Sequence, residues 1–218
     1  MSLVLHEHPF ALYCWKALIA LYERGVAFEA RMEDDRSEIT ALWPPASIPL
    51  LVDGGFVVPE SSTIVEYLDS HGDAPPLVPA DAQLALQARI WDRVVDGYVA
   101  TPVQTIVGDA RRPVAAGDPL GVDQAHSALD LAYATLERQL AGRGSSSWLA
   151  GHVFTLADCA AAPALHYADV VHELDRSMHP ALGAYYDRLS ARPSVARVIH
   201  EARPYRELFP LPWPAHVG

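Results

Sequence analysis

The distribution of strand-like and helix-like segments along this chain is the feature that most constrains its fold. Before residue 75, short runs typical of strands alternate with helical patterns. A proline-rich stretch occupies residues 72–82, and beyond it apolar residues recur only at helical spacing. The sequence therefore predicts a mixed α/β domain at residues 1–75, a linker at residues 76–82 and an all-α domain at residues 83–218.

The first domain is predicted to contain strands and helices in the order β-α-β-α-β-β-α. Its segments are Leu3–Leu5, Leu12–Arg24, Val26–Arg31, Glu38–Trp43, Ile48–Val52, Phe56–Val58 and Ser62–Ser70. Gly25 ends the first helix, because glycine adopts the left-handed conformation of a helix C-terminus without steric cost. Asp53-Gly54-Gly55 predicts a tight turn that joins the last two strands into a hairpin. This order is that of a thioredoxin-like domain, a small mixed sheet with helices on both faces.

The second domain is predicted to be entirely helical. Its helices are Leu84–Val107, Asp123–Leu140, a helix that begins at Thr155, Pro180–Ala191 and Ser194–Ala202. Thr155 and Asp158 have the spacing of a capping box, in which each side chain binds a free amide at the helix start. Small residues follow and allow close packing on every side, so this helix is predicted to be the buried centre of the domain. Pro163 is expected to bend it by removing one backbone bond.

The charge of the chain restricts its partners. The formal net charge of the 218 residues is −11, which argues against nucleic acid or an anionic membrane as the main partner. No run approaches the roughly 18 apolar residues that span a bilayer. The N-terminus lacks the basic region and the long apolar core of a signal peptide. A membrane partner is therefore not expected.

The cysteines and histidines restrict the chemistry. Cys14 and Cys159 are the two cysteines and lie far apart, so a reduced, cytoplasmic location is predicted. The ten histidines show neither H-x-x-x-H nor H-E-x-x-H spacing, and no glycine-rich phosphate-binding motif is present. Neither a metal nor a nucleotide is therefore predicted.

Two short segments of the first domain predict a ligand site. Proline belongs at the start or the edge of a strand, and a cis Ile48–Pro49 bond would turn the backbone N–H and C=O of Ile48 outward. A short peptide could then pair with them. The helix that follows Glu60 begins with serines, and its free N–H groups and hydroxyls suit a carboxylate. Together the segments predict a pocket for a small anionic peptide.

Several motifs, in a fixed order along the whole chain, resemble those of one family. They are His8-Pro9-Phe10, Ile48-Pro49-Leu50-Leu51, Pro59-Glu60-Ser61-Ser62-Thr63, Thr155-Leu156-Ala157-Asp158 and the segment 185–194. The chain resembles the soluble bacterial glutathione transferases over essentially its full length. The resemblance implies an N-terminal glutathione-binding domain, a helical domain that supplies most of the pocket for a second substrate, and a homodimer.

The resemblance also implies roles for individual residues in binding glutathione. The main chain of Ile48 would pair with the cysteinyl part, and Pro49 would be the cis proline. The Ser61 hydroxyl and amide would bind the carboxylate of the γ-glutamyl end, and Glu60 would balance its ammonium group. The glycyl carboxylate needs a cation or a polar donor, for which Arg36 and Ser47 are the local candidates.

The chain departs from the family pattern at the catalytic position. Relatives carry a serine or cysteine where this chain has Ala11, which has no donor for the glutathione thiolate. Tyr13 could donate from its phenol instead, or be a partly buried helix aromatic. Cys14 falls where a glutaredoxin-like C-x-x-C has its second cysteine, or is a small buried hydrophobe. The dipole of the first helix would add to either donor.

Other side chains have open alternatives. Lys16 either neutralises charge near the sulfur or is solvated, and solvation is the expectation. Trp43 either flanks the peptide site or only packs beside it. A further set could face the cleft between the domains or be solvated, namely Tyr98, Gln104, Arg111 and Arg112.

Two functions remain open from the sequence. The first is a glutathione transferase that joins the thiolate to small, hydrophobic electrophiles, by thiolate stabilisation and proximity. The second is a non-catalytic glutathione-binding or interaction protein, which Ala11 favours. The intact Ile48-Pro49 and Glu60-Ser61 segments favour the enzyme, or at least retained binding, and the enzyme is the prediction.

Overall fold

The computed structural model of the chain describes residues 3–32, 37–144 and 147–217. Its strands and helices are β1 (Leu3–Glu7), α1 (Leu12–Arg24), β2 (Phe28–Met32), α2 (Ser37–Leu42), β3 (Leu50–Asp53), β4 (Phe56–Pro59), α3 (Ser61–Leu68), α4 (Ala82–Val95), α5 (Thr101–Ala110), α6 (Pro119–Leu140), α7 (Leu156–Val171), α8 (Pro180–Ser190) and α9 (Pro193–Ala202). The predicted order β-α-β-α-β-β-α is confirmed, and the described residues beyond β4 form no further strand.

The four strands form one mixed sheet in the order β2-β1-β3-β4. Strand β1 pairs in parallel with β2 and antiparallel with β3, where Leu5 lies opposite Leu51. Both leucines are fully buried, because each points from a central strand into the core. Helix α1 contacts α3 within this domain and α7 of the helical domain. The predicted thioredoxin-like architecture is confirmed.

The C-terminus of α1 is fixed by its last residues. Gly25 adopts φ 63°, and its N–H donates to the carbonyls of Leu21 and Tyr22. The buried Arg24 side chain donates to the carbonyl oxygens of His71 at 2.6 Å and of Gly72 at 3.1 Å, beyond the end of α3. These contacts join the C-terminal end of α1 to the segment that follows α3.

Helix α7 is the buried centre of the helical domain, as predicted. The capping box of Thr155 and Asp158 is present, and every residue from Leu156 to Val170 is buried. Asp158 also accepts hydrogen bonds from the Leu149 N–H at 3.0 Å and the Tyr185 hydroxyl at 2.7 Å. The helix continues through Pro163 to Val171.

The predicted long helix over Leu84–Val107 is confirmed as helical throughout, but part of it is not α-helical. A π-helical turn, Asp96–Ala100, separates α4 from α5, and the Thr101 N–H donates to the Asp96 carbonyl five residues back. Pro102, which has no N–H to donate, directly follows this turn at the start of α5. The spacing of apolar residues does not reveal such a turn. The one extra residue that a π-helical turn contains changes which side chains face the core only within that turn.

The remaining differences lie at the ends of strands and helices; β2 begins at Phe28 rather than Val26, and β3 begins at Leu50 rather than Ile48. Helix α6 begins at Pro119 rather than near residue 123, because the Asp118 side chain accepts from the Gly121 N–H at 2.9 Å.

In the described ranges, no helix combines the length and the apolar character needed to cross a membrane. The domain boundaries given above, 1–75 and 83–218, stay a prediction.

Candidate active site

Two adjoining cavities lie between the thioredoxin-like domain and the helical domain. We call the first, of about 390 Å³, the polar cavity; it is lined by Tyr13, Ser47, Ile48, Pro49, Glu60, Ser61, Ser62, Arg93, Asp96, Gly97 and Thr101. We call the second, of about 480 Å³, the apolar cavity; it is lined by His8, Phe10, Ala11, Leu12, Tyr13, Ile39, Ile48, Val103, Gln104, Val107, Arg111, Tyr167, Leu208 and Phe209. Tyr13 and Ile48 line both.

The loop before β3 forms one wall of the polar cavity. The Ile48–Pro49 peptide bond is cis, as predicted. Strand pairing begins at Leu50, and neither the N–H nor the C=O of Ile48 is hydrogen-bonded to another described residue. Ser47 is exposed and lines the same wall. The backbone of Ile48 is therefore available to pair with an extended peptide.

The start of α3 forms a second wall. Glu60 has φ 67° and ψ 120°, a conformation that non-glycine residues rarely adopt and that is often found at functional sites. It leaves the Glu60 carboxylate exposed at the cavity and directs the backbone into α3. The Ser61 hydroxyl has no hydrogen-bond partner among the residues described. An acidic group and a free hydroxyl therefore stand side by side at a helix N-terminus.

Lys16 is not solvated, so that expectation is wrong. Its ammonium group is fully buried beneath the polar cavity and donates to the Ser62 hydroxyl at 2.8 Å and to Asp96 at 2.9 Å. It also forms an ion pair with Asp92, which accepts a hydrogen bond from Ser62 at 2.9 Å. Because Ser62 follows Ser61, the network joins α1 and α4 to the start of α3.

The sequence interpretation missed the contribution of α4 to the polar cavity. Arg93 of α4 and Asp96 of the π-helical turn that follows it line the cavity together with Glu60. Burial raises the pKa of Asp96, and the charge of Lys16 opposes this rise. With Glu60 and Asp96 acidic and Arg93 basic, the cavity can hold a ligand that carries both an ammonium and a carboxylate group. The i, i+3 spacing of two charges was the signal in the sequence.

The apolar cavity is made by both domains. Helix α5 presents Val103 and Val107, together with Gln104 and Arg111. The segment beyond α9 contributes Leu208 and Phe209. A cavity of this volume, with mainly apolar walls and a few polar groups, is typical of a site for a small organic molecule.

The N-terminus of α1 lies where the two cavities meet. Ala11 caps the helix without any side-chain hydrogen bond and lines the apolar cavity. Tyr13 is half-buried; burial, with the charges of Asp96 and Glu60, raises the pKa of its phenol to about 12. The phenol therefore stays protonated at neutral pH and can donate a hydrogen bond to a group in either cavity.

Cys14 is placed differently from Tyr13. Its thiol is fully buried, lines neither cavity, and has a pKa raised by burial. A buried, protonated thiol is not positioned to touch a ligand, which favours the reading of Cys14 as a small buried hydrophobe. The catalytic role of Cys14 stays a prediction, and the position of its thiol favours the structural alternative.

The other candidate residues divide between the cavities and their surroundings. Trp43 and Tyr98 line neither cavity, and Arg112 pairs instead with Asp109 at 3.4 Å. Arg36 lies outside the described residues. Within the described part of the chain, no group of three or more His, Cys, Asp or Glu side chains is arranged to hold a metal ion.

Comparison with known families matches two parts of the chain. The family model described as glutathione S-transferase, N-terminal domain, matches residues 5–76. The model described as glutathione S-transferase, C-terminal domain, matches residues 119–188. The two models follow each other in the order of the α/β and helical parts of the structure.

Individual relatives agree with these matches. Glutathione S-transferase U22 of Arabidopsis thaliana is 37% identical over 103 residues, a segment that covers 45% of this chain and only 46% of the plant protein. The glutathione S-transferase-like protein LUC7 of a Fusarium species is 30% identical, over 80% of this chain and 82% of its own length. A glutathione S-transferase of Methylobacterium radiotolerans, solved in complex with glutathione sulfonate, is 31% identical with a TM-score of 0.79, over 91% of this chain and 94% of that one.

The fold and the two cavities define a thioredoxin-fold protein with a peptide-sized site that faces an added helical domain. The domain models and the longer relatives match this arrangement in the same order. The chain belongs to the glutathione S-transferase family.

Proposed function

We propose that the protein is an enzyme that binds glutathione in the polar cavity and reacts its thiolate with a small, hydrophobic electrophile in the apolar cavity. The observation that carries this proposal is the wall of Tyr13 and Ile48 that both cavities share. Ligands in the two cavities would meet at the N-terminus of α1. Such proximity converts a reaction between two molecules into one within a single complex.

In the polar cavity, each group of glutathione has a counterpart. Ile48 precedes the cis bond to Pro49, and its N–H and C=O have no hydrogen-bond partner among the described residues. These groups suit the cysteinyl main chain. The Ser61 hydroxyl and amide suit the γ-glutamyl carboxylate, and the exposed Glu60 carboxylate suits its ammonium group. For the glycyl carboxylate, Ser47 is the candidate that lines the cavity.

At the N-terminus of α1, the protein has to stabilise a thiolate without the usual serine or cysteine. The Tyr13 phenol donates to the sulfur, and the α1 dipole, with no acidic residue in its first turn, adds a favourable field. The thiol proton passes to solvent, the sulfur bonds to the electrophilic carbon, and the leaving group departs with its electron pair. A phenol donor at the junction of the cavities favours this enzyme over a protein that only binds glutathione.

Calorimetric titration with glutathione tests the binding half of the proposal. Ser61→Ala is expected to weaken binding about 10-fold or more, because a hydrogen bond to a charged group contributes about 1.5–3 kcal/mol. Thr63→Ala is the matched control, since Thr63 is an exposed hydroxyl residue of the same helix that lines neither cavity. Absence of glutathione binding, or equal effects of the two changes, would contradict the proposal.

The ultraviolet absorbance of the thiolate, followed against pH in the same samples, tests the catalytic half. The wild-type protein is expected to lower the pKa of bound glutathione from about 8.5 toward about 7. Tyr13→Phe is expected to return it toward the free value and to reduce kcat/KM by about 10–100-fold. Tyr98→Phe, an exposed tyrosine outside both cavities, is the control. An unshifted thiol in the wild type would favour the binding protein.

We further propose that the protein is a cytoplasmic homodimer that serves detoxification. Phe56 is 61% exposed on β4, and Leu86 and Ile90 are 57% and 42% exposed on α4. The Phe56 ring lies 5.7 Å from that of Tyr67 on α3, and the Glu66–Arg89 ion pair at 2.8 Å joins α3 to α4 next to Ile90. Sedimentation velocity checks the assembly, and Phe56→Glu is expected to give monomers. A wild-type mass of 23.7 kDa would contradict the dimer.

A further inference from the structure

We propose that the electrophile for this enzyme is an aromatic compound that carries an acidic group, and that Arg111 binds that group. This inference rests on the proposed function, because the electrophile is attacked by glutathione held in the polar cavity. It concerns the choice of substrate, so Arg111 is a specificity residue for the reaction.

The face that α5 turns to the apolar cavity has one apolar end and one charged end. Val103, Val107 and Arg111 follow each other at intervals of four residues and all line the cavity. At a rise of about 1.5 Å per residue, Arg111 lies about 12 Å along the helix axis from Val103. A substrate that extends along α5 therefore meets apolar side chains at one end and a guanidinium group at the other.

The Arg111 guanidinium has no charged partner among the residues that the structure describes. No ion pair or side-chain hydrogen bond joins its guanidinium to another residue of the described ranges, and no acidic side chain lines the apolar cavity. The next residue, Arg112, points to Asp109 instead, at 3.4 Å. In a chain of net charge −11, an unpaired cation at an apolar cavity favours an anionic group on the ligand.

The walls next to α5 suit an aromatic ring. The rings of Phe10 and Tyr167 are 5.6 Å apart and nearly perpendicular, and Phe209 stacks against Tyr167 at 6.2 Å. The Tyr167 hydroxyl already donates to the Phe10 carbonyl at 2.8 Å, so Tyr167 offers its ring and not its hydroxyl. Aromatic rings prefer such edge and offset contacts.

A purely structural role for Arg111 makes a different prediction. Arg111 is the C-cap of α5, where a cation stabilises the helix dipole by about 0.3–1 kcal/mol. In that role, its removal would lower stability slightly and would affect all substrates equally. Discrimination between a charged substrate and a neutral one of the same shape separates the two roles.

The test compares a chloronitrobenzoate with the matched chloronitrobenzamide, each with chlorine para to the carbonyl substituent and the nitro group beside the chlorine. In both, the thiolate sulfur bonds to the carbon that carries chlorine, and chloride leaves with the electron pair. Each kcat/KM is divided by the rate constant of the uncatalysed reaction with glutathione. We expect the wild type to prefer the benzoate by about 10-fold, and Arg111→Gln to lower only the benzoate value, by about 10–100-fold.

Arg112→Gln is the control and is expected to leave both values within about 2-fold, because exposed ion pairs contribute little. An equal fall for benzoate and benzamide in Arg111→Gln would overturn the inference, as would an equal effect of Arg112→Gln. If the wild type turns over neither compound, the titrations of glutathione binding and thiolate pKa described above decide the proposed function separately. Calorimetric binding of the two compounds then decides the inference: a benzoate preference lost in Arg111→Gln supports it, and equal binding overturns it.

Discussion

Replacing Asp158 with alanine is expected to lower the free energy of unfolding by about 3–5 kcal/mol. The carboxylate is fully buried at the start of α7 and accepts hydrogen bonds from the Leu149 N–H, the Thr155 N–H and the Tyr185 hydroxyl. Alanine would leave these donors buried and unpaired, at a cost of about 1–3 kcal/mol for each unsatisfied group. Denaturation by urea, followed by circular dichroism, measures the loss.

Asp81→Ala is the matched control for this prediction. Asp81 also accepts hydrogen bonds from N–H groups at a helix start, those of Gln83 and Leu84, but it is the N-cap of α4 and is exposed. Water can replace the lost bonds there, so the expected cost is about 1 kcal/mol. Equal losses of unfolding free energy in the two variants would mean that burial of the Asp158 network does not determine how much the network stabilises the protein.

Lys16→Met is expected to cost about 3–5 kcal/mol of unfolding free energy, because it leaves buried carboxylates without their cation. Lys16 and Asp92 are both almost fully buried, and Asp96 is largely so. Lys16→Met combined with Asp92→Asn is expected to recover part of the loss. Arg89→Met, which breaks the exposed pair with Glu66, is the control and is expected to cost less than about 1 kcal/mol.

The loss in Lys16→Met is expected to depend on pH. Burial raises the pKa of Asp96 in the folded state, and removal of the lysine charge raises it further. A carboxyl group with a raised folded pKa stabilises the protein at low pH and loses this contribution as the pH rises through that pKa. The difference between wild type and variant should therefore shrink as the pH falls from about 7 toward about 4. If the difference in unfolding free energy between wild type and Lys16→Met did not change with pH, the explanation based on the buried carboxylates around Lys16 would be contradicted.

Local patterns in the sequence predicted much of the fold and part of the site. Gly25, the hairpin turn and the capping box of Thr155 each act within a few residues, so their geometry follows from the residues themselves. The same holds for the proline at the start of β3 and for the serine at the start of α3. These short-range features fixed the thioredoxin-like order and two walls of the polar cavity.

The rest depends on contacts between distant segments, which one sequence does not reveal. Lys16 is the only lysine of the chain, and its burial follows from Asp92 of α4 and Asp96 of the π-helical turn, which lie far along the sequence. Most of the residues that line the polar cavity together with Arg93 come from the other domain. The π-helical turn depends on Pro102 and on the packing around α7.

The shared wall of Tyr13 and Ile48 has a consequence for how such a protein can evolve. In the function proposed above, the groups that would recognise the peptide are mainly backbone atoms and a helix start, which substitutions barely alter. The walls beyond Tyr13 come from α5 and from the segment after α9, which contribute side chains such as Val107 and Phe209. Changes there can reshape the range of electrophiles while the thiol-binding apparatus persists, so new specificities arise without rebuilding the reaction.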